Sequence, residues 1–514
     1  MSTIKHRILK CVFAFALQKW YYTNMENLSM SKKEKFLAFI EKYWLYLYIA
    51  FLLLLSFICF YNLWSLPIYD WDEARHGINA FEMLKEGNYI ANYYQGSPDY
   101  WNLKPPISYY TIMIGYKIFG FNAFGLRFFS ALSYLLIAII VSLFLKKKFG
   151  KFESLLCILF FCSFSYLFVM HCVRTGDADA LFLLFYTISI ISLFKSTDNS
   201  NWLHLSALAF ALAFLTKSWH AAIIVPVIFF YLLFTKGFKK IKWWQYITIL
   251  LSSIAPILLW GILRYSFDGI TFFKAMFEYD LFERSTSAIE NHGGGIFYYF
   301  LLLGLIPTML LSVVCGVVII ITKIKNKEKL SNLAILCIIS FITTFAIFSI
   351  AKTKLGWYIY PCVVPSAIAG TVLLSKWFKN NEKKKTNNRF RVLSLISIVF
   401  VSVFALLSAA TPFVVLDLNG TEISSQHFIN KLNVPQNAIV YTQNKEVVKW
   451  DQVDLLLFEF KTGEHGLEGG YEKFINTKNS YLIIDKETYQ TIDKTNTQLI
   501  TEDENWVFIK NITE

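Results

Sequence analysis

Charge is what this chain has least of. Only 17% of its 514 residues are Asp, Glu, Lys or Arg, while 55% are hydrophobic. Soluble domains carry about 25% charge, so an ordinary soluble fold is excluded and a membrane composition is left. Metal-type cysteine spacing is also missing. The eight cysteines are Cys11, Cys59, Cys157, Cys162, Cys172, Cys315, Cys337 and Cys362. They form no CxxC pair, most lie in apolar stretches, and they read as small buried apolar residues. None follows residue 412, so the C-terminal part needs no disulfide framework. No internal repeat is visible. No small-residue cleavage site follows the short apolar run KCVFAFAL, which makes it a poor signal peptide. Residues 1–29 leave two readings open, an interfacial helix or an upstream misread start. The basic stretch SKKEKF then leads into a first span.

What is there is a series of apolar runs near the roughly 20 residues that cross the hydrocarbon core as a helix. The pattern predicts spans at about 42–64, 127–145, 152–171, 179–195, 202–216, 219–235, 243–265, 296–322, 331–350, 357–377 and 391–411. The net charge of +13 sits in short Lys-rich loops: Lys146–Lys148, Lys236–Lys242, Lys323–Lys329 and Lys376–Arg391. The positive-inside rule places these four together on the cytoplasmic side, so the charge reads as a topology signal and not as a nucleic-acid surface. The gaps 65–126, 172–178, 266–295 and 351–356 then face outward with the C-terminus. The run ISYYTIMIGYKIFGFNAFG, interrupted by Lys117 and two Gly, reads as a helix lying in the interface.

Three domains follow: an N-terminal cytoplasmic or interfacial segment (1–41), a transmembrane catalytic domain (42–411) with a first external loop at 65–126, and a small extracytoplasmic α/β domain (412–514). The last is suggested by short β-rich runs, AIVYT, LLLFEF, YLIID and WVFIK, set among polar residues.

The outward gaps hold the chemistry. Asp72 and Glu73 open a stretch of helical spacing that stops at Gly87. Asp72 is a candidate N-cap, but an N-cap alone has no need of Glu73 and Arg75, and a carboxylate there can act as a general base. Lys104 is held extended before Pro105–Pro106 and can meet a phosphate as a point charge, with Arg75 as a second cation. Arg174, Asp177 and Asp179 cluster at the outer end of the third span, where the arginine can pair with one acid and leave the other free. Glu283, Arg284, Glu290 and His292 precede three glycines, and His292 can assist proton transfer or bind substrate or metal. Lys352 and Lys354 break the positive-inside trend, which points to an anionic headgroup. Trp357 and Tyr358 beside them can stack on a sugar.

Six ordered motifs, DEARHGINAFEML, LKPPISYY, FGFNAFGLRFFSAL, RTGDADALFLLF, LTKSWHAAIIVP and KTKLGWYIYP, give this chain a resemblance to the bacterial lipid A aminoarabinose transferases. That superfamily includes the dolichyl-phosphate-mannose protein mannosyltransferases, and the similarity covers about residues 42–411. It implies an all-α polytopic fold of the GT-C type with about 11–13 transmembrane helices and a small C-terminal α/β domain. It implies a glycosyltransferase that moves a sugar from a polyprenyl-phosphate carrier to a lipid, glycan or protein acceptor, lipid A among them. The setting would be the outer face of a bacterial plasma membrane, among membrane lipids. By motif matching, Asp72 is the first-loop acid at the reaction centre, with Glu73 beside it. Arg75 and Lys104 hold the carrier phosphate, and Asp177 or, by preference, Asp179 is the second-loop acid. Tyr358 is the aromatic near the phosphate, and Lys352, Lys354 and His292 complete the binding set. Two departures stand out. Leu103 replaces an acid that joins a His in a metal site of some relatives, so no metal ligand is assigned there and a divalent metal stays open. Gly356 replaces the Pro of the K-L-P motif. The rival from another class is a transporter or flippase of lipid-linked sugars, which would grip the carrier with the same cations and have no use for poised acids.

Overall fold

The computed structural model describes residues 31–65, 67–380, 385–414, 421–443 and 452–513. The readings for residues 1–29 lie outside it. The first long helix, α1 (Lys32–Phe60), starts at a capping box: Ser31 Oγ accepts from Glu34 N, and the Glu34 carboxylate accepts from Ser31 N at 2.8 Å. These two bonds satisfy backbone donors that a helix start leaves open.

A cap fills the first long gap. It consists of α2 (Asp72–Glu86), which ends at Gly87 with φ 65°, a two-stranded hairpin β1 (Tyr93–Tyr94) and β2 (Ser97–Pro98), and α3 (Ile107–Phe119). The interfacial run is therefore a short helix. It crosses the next helix, α4 (Ala123–Phe149), at a point where only glycine fits, since a Cβ on Gly115 would fall 2.1 Å from Gly125 O.

The bundle continues with α5 (Lys151–Ser163), α6 (Ser165–Val169), α7 (Asp179–Lys195), α8 (Trp202–Lys217), α9 (Ile224–Phe234), α10 (Trp243–Asp268), α11 (Pro307–Lys325), α12 (Asn332–Ile350), α13 (Val363–Lys379) and α14 (Lys385–Ser408). Among the described residues, eight helical segments are long and apolar enough to cross a membrane, against the 11–13 expected. Part of the difference lies in Trp202–Phe234, counted there as one stretch. It is a hairpin, broken at Ser218, whose φ of 44° no helix tolerates. Lys217, at one end of α8, reaches Asp179, while Lys240, just after α9, donates to Thr197 O at the opposite end of α7. Both short spans of the sequence reading are present. The 152–171 span is broken at Phe164, and α7 has 17 residues. The Lys-rich loops meet at one end of the bundle, where Lys148, Lys323, Lys329 and Lys376 line one cavity. The seven described cysteines are free and buried, as their apolar setting requires.

At the other end lies the C-terminal domain. Its five-stranded sheet has the order β4 (Leu467–Glu468), β3 (Val440–Gln443), β5 (Tyr481–Asp485), β7 (Trp506–Asn511), β6 (Thr497–Glu502). β4, β3 and β5 pair in parallel, and β7 pairs antiparallel with both β5 and β6. One strand expectation fails. LLLFEF belongs to a helix, α15 (Gln452–Thr462), because a continuous apolar run carries no period that separates strand from helix. This helix packs on the cap. Ile78, Phe81 and Met113 share a core with Leu456, Phe458 and Phe508, and Gly77 leaves room for Leu456, whose Cδ2 would sit 2.6 Å from an added Cβ.

Candidate active site

Three connections converge at the cap end of the bundle. The first carries Asp72. It is not an N-cap, since that position belongs to Trp71 (φ 66°, ψ −116°) and no side chain caps the helix. Asp72 stands one residue further in, and its carboxylate faces the site. The second is the loop 170–178 between α6 and α7, with His171 and Asp177. Ligand atoms of Asp72, His171 and Asp177 lie within 4.8 Å of one another. His171 Nδ1 is 3.3 Å from Asp177 Oδ2, Thr175 Oγ donates to that same oxygen at 2.6 Å, and the His171 ring stacks on Trp357 at 3.9 Å. The third is the α8–α9 turn, where Lys217 Nζ sits 2.5 Å from Asp179 Oδ1, and Ser218 Oγ donates to Asp280 Oδ2 at 2.5 Å. Trp71, His171 and Ser218 all have positive φ without being glycine. Such backbone is costly and is held only where the surroundings fix it, which here is around the acids.

The charges are matched to these positions. Burial alone would raise the Asp72 carboxyl. Lys104 first, then His171, His76 and Lys217, outweigh it and hold the group down to about 2. Asp177 is also lowered, burial being overcome by His171. Burial would neutralise His171, but Asp177 and then Asp72 carry it to about 9. His76 goes the other way: burial pulls it below its usual value. Its Nδ1 is 2.6 Å from Asp72 O, and its buried Nε2 has no hydrogen-bond partner among the described residues. Lys104 is half-buried and makes no side-chain hydrogen bond among the described residues. It is the strongest attraction on Asp72 and the cation best placed to receive an anion.

Several expected residues are given other work. Arg75 does not face the site. Its guanidinium forms a two-pronged pair with Asp99 (2.8 and 2.9 Å) and lies over the Tyr94 ring at 3.2 Å, which fixes the hairpin against α2. Glu73 is a buried clamp and not a base: it takes Arg127 at 2.6 Å and accepts from Gly176 N at 2.8 Å, tying the first loop to the second. Asp179 was preferred as the second acid, but it is committed to Lys217, and Asp177 is the acid that meets Asp72. Arg174 pairs with neither acid and donates to Ile58 O and Tyr61 O at the end of α1. Lys354 spends its three donors on the carbonyls of Phe348, Ser349 and Ala351, which close the C-terminus of α12. His292 is 41% exposed and 3.7 Å from Glu290. Lys352 is exposed, and its backbone N donates to Ser285 O.

Tyr358 does stand in the wall of the site. Arg284 reaches its hydroxyl at 3.4 Å, His220 packs edge-on at 4.5 Å, and the Asp72 charge is felt there. Sequence reasoning missed His171, Lys217, His220 and Asp280. The signal was present for two of them, because LTKSWHAAIIVP contains Lys217 and His220 beside an apolar run that had no need of either.

Residues 103–260 match the family described as Dolichyl-phosphate-mannose-protein mannosyltransferase. An uncharacterized protein of Aquifex aeolicus is 28% identical over 362 residues, 69% of this chain and 67% of that one. The undecaprenyl phosphate-alpha-4-amino-4-deoxy-L-arabinose arabinosyl transferase 1 of Pseudomonas fluorescens is 24% identical over 337 residues, 63% of this chain. The match spans 57% of that transferase's length. The crystal structure of ArnT from Cupriavidus metallidurans bound to undecaprenyl phosphate superposes with a TM-score of 0.66 at 17% identity, covering 92% of this chain and 98% of that one. The fold is that of a GT-C membrane glycosyltransferase with a small C-terminal sheet region. Over that fold the chain is similar to the aminoarabinose transferases and to the protein-mannosyltransferase family it matches.

Proposed function

We propose that this chain is an integral membrane glycosyltransferase that takes a sugar from a polyprenyl-phosphate carrier and passes it to a lipid, glycan or protein acceptor on the extracytoplasmic face. One observation carries the reading: Asp72 and Asp177 meet around His171, with the half-buried Lys104 beside them. A flippase has no use for a pair of acids held ionised at one end of its bundle.

The chemistry follows from those groups. Lys104 binds the carrier phosphate as a point charge and stabilises the charge that grows on it as the bond from phosphate oxygen to the anomeric carbon breaks. The acceptor oxygen attacks the same carbon from the opposite side, so the sugar inverts. Asp72 and Asp177 orient that oxygen. A carboxyl held near 2 is a weak base, but the cation that depresses it most is Lys104 itself. Once Lys104 is engaged by the phosphate, Asp72 regains basicity and takes the proton of a hydroxyl acceptor. A phosphate acceptor arrives anionic and needs only orientation. Tyr358 packs against the sugar or carrier headgroup, and Lys352 attracts anionic lipid. The donor set Asp72, His171 and Asp177 also has ligand types suited to a divalent cation, which would add Lewis-acid stabilisation when bound.

The test is transfer of labelled sugar from a polyprenyl-phosphate donor by the purified protein. Activity should fall by about a thousandfold in Asp72→Asn, in the upper range for loss of an acid–base group, while carrier binding is kept. Turnover comparable to the native protein would refute the assignment. Mass spectrometry of envelope lipids and glycoproteins with and without the gene then identifies the acceptor.

A further inference from the structure

A second cluster of buried ionisable groups lies away from the catalytic acids, where the C-terminal domain sits on the cap. Glu82 projects from α2, Glu459 from α15, and His465 from the loop 463–466. One ligand atom from each lies within 4.8 Å of the others. Glu82 and Glu459 are fully buried. Both oxygens of Glu459 and the Nδ1 of His465 are buried without a hydrogen-bond partner. Unpartnered buried acceptors of this kind are uncommon and costly.

The surrounding groups are already oriented. Glu82 accepts from Gln95 N at 2.7 Å and Gly96 N at 2.9 Å, which fixes the carboxylate plane. His465 Nε2 lies 3.0 Å from Glu86 Oε1, and Nδ1 is 3.3 Å from Glu82 Oε1. Flanked by Glu82 and Glu86, the imidazole is held above its ordinary value, so a bound cation would take the place of the Nδ1 proton while Glu86 keeps the Nε2 hydrogen, as the orienting partner of a metal-binding histidine commonly does. The adjacent cation is spent elsewhere: Lys85 Nζ takes Glu464 at 2.5 Å and Gly463 O at 2.7 Å. The remaining contacts along this edge are neutral donors to acids, such as Tyr94 Oη to Glu468 at 2.6 Å. Two buried carboxylates side by side require either a shared proton or a cation.

We propose that Glu82, Glu459 and His465 form a binding site for a divalent transition cation of the zinc class, with Glu86 orienting the histidine. One imidazole and two carboxylates are a donor set that such an ion accepts. The ion staples the loop 463–466 to the helix whose first residue is Asp72, so it couples the docking of the C-terminal domain to the placement of the catalytic loop. The inference does not depend on the identity of the transferred sugar.

The test uses the full-length protein in detergent, stripped with a chelator and titrated with Zn²⁺ alone. Binding is read by calorimetry and by metal content after desalting. One equivalent should be lost in Glu459→Gln and His465→Asn and retained in Asp177→Asn. Glu86→Gln, at the rim of the cluster, should weaken binding by about ten- to a hundredfold, as loss of an orienting partner does. Zn²⁺ should raise the melting temperature of the native protein by more than that of Glu459→Gln, and the difference should persist in an Asp177→Asn background. If Glu459→Gln or His465→Asn fails to fold, Glu86→Gln and the native Zn²⁺ shift decide. No Zn²⁺ uptake by the native protein, or uptake undiminished by these variants, would overturn the site and leave Glu459 and Glu82 sharing a proton.

Discussion

Lys217 closes on Asp179 at 2.5 Å, and this one pair leaves Asp177 as the acid of the second loop that meets Asp72 and His171. Asp179 is two residues from Asp177, and both are buried. With Asp179 neutralised, only Asp177 turns toward Asp72 and His171. The pair also joins the α8–α9 turn to the start of α7, so the floor of the site rests on an ion pair.

Removing one partner of that pair leaves a buried, uncompensated charge. Lys217→Met should therefore cost about 3–5 kcal/mol of stability, and the double variant Lys217→Met with Asp179→Asn should recover much of it. Thermal unfolding in detergent across the four proteins checks this; equal losses in the single and double variants would contradict it.

Asp177 and Asp179 should differ in their effect on turnover. Asp177→Asn should lower the transfer rate by about a hundredfold or more, within the range for a group that orients or accepts a proton. Asp179→Asn should act chiefly through stability. Rates normalised to folded protein separate the two effects.

The pH dependence follows from His171 and Asp72. His171 is raised to about 9 in the fold, so its ion pairs contribute fully below its unfolded value of about 6.5 and are lost as pH rises through 9. Asp72 is depressed to about 2, so its contribution is present above its unfolded value of about 3.9 and is lost as pH falls through 2. The melting temperature should fall between pH 7 and pH 9.5. In Asp177→Asn, which removes the first attraction on His171, the fall should begin at lower pH. A melting temperature flat to pH 10 would refute the His171–Asp177 pairing.

Arg75 and Lys104 look alike in the sequence, as two cations in one loop, and should behave differently. Lys104→Gln should raise the KM for the polyprenyl-phosphate donor at least tenfold, with a smaller fall in melting temperature than Arg75→Gln, because it removes one of four attractions on Asp72 and no side-chain hydrogen bond among the described residues. Arg75→Gln should lower the melting temperature, because Asp99 is then buried without its partner. Donor titrations and unfolding curves on both variants test the pair.

Gly77→Val should loosen the C-terminal domain, since its first added carbon meets Leu456 at 2.6 Å. Overpacking of this kind costs about 1–3 kcal/mol. Faster proteolysis within residues 452–513 is the expected sign, and Leu456→Ala should partly restore the fit.

Much of this was readable along the chain. The helices fall where apolar runs approach membrane length, because a segment in hydrocarbon must satisfy its own backbone. The Lys-rich loops gather at one end, as their shared composition indicated. Asp72, Asp177, Lys104 and Tyr358, which the structure brings to one end of the bundle, stand out in the sequence by residue type and position between spans. Glu73, Arg75, Asp179 and Lys354 stand out for the same reason, and the structure places each of them in an internal contact. A carboxylate or an ammonium looks the same in a sequence whether it faces a ligand or closes an internal ion pair.

What the sequence determined by itself is composition-driven: a polytopic bundle, its polar gaps and a motif order that resembles that of the GT-C transferases. What only the tertiary structure decided is pairing. Arg75 goes to Asp99, Glu73 to Arg127 and Asp179 to Lys217, each across 24 to 54 residues of chain. Lys354 turns instead to the nearby carbonyls at the end of α12. Local spacing cannot specify the distant partners, because the strength of a buried charge pair depends on the distance and desolvation that folding sets. Those pairings consume the surplus charges and leave Asp72, Asp177, His171 and Lys104 facing one another.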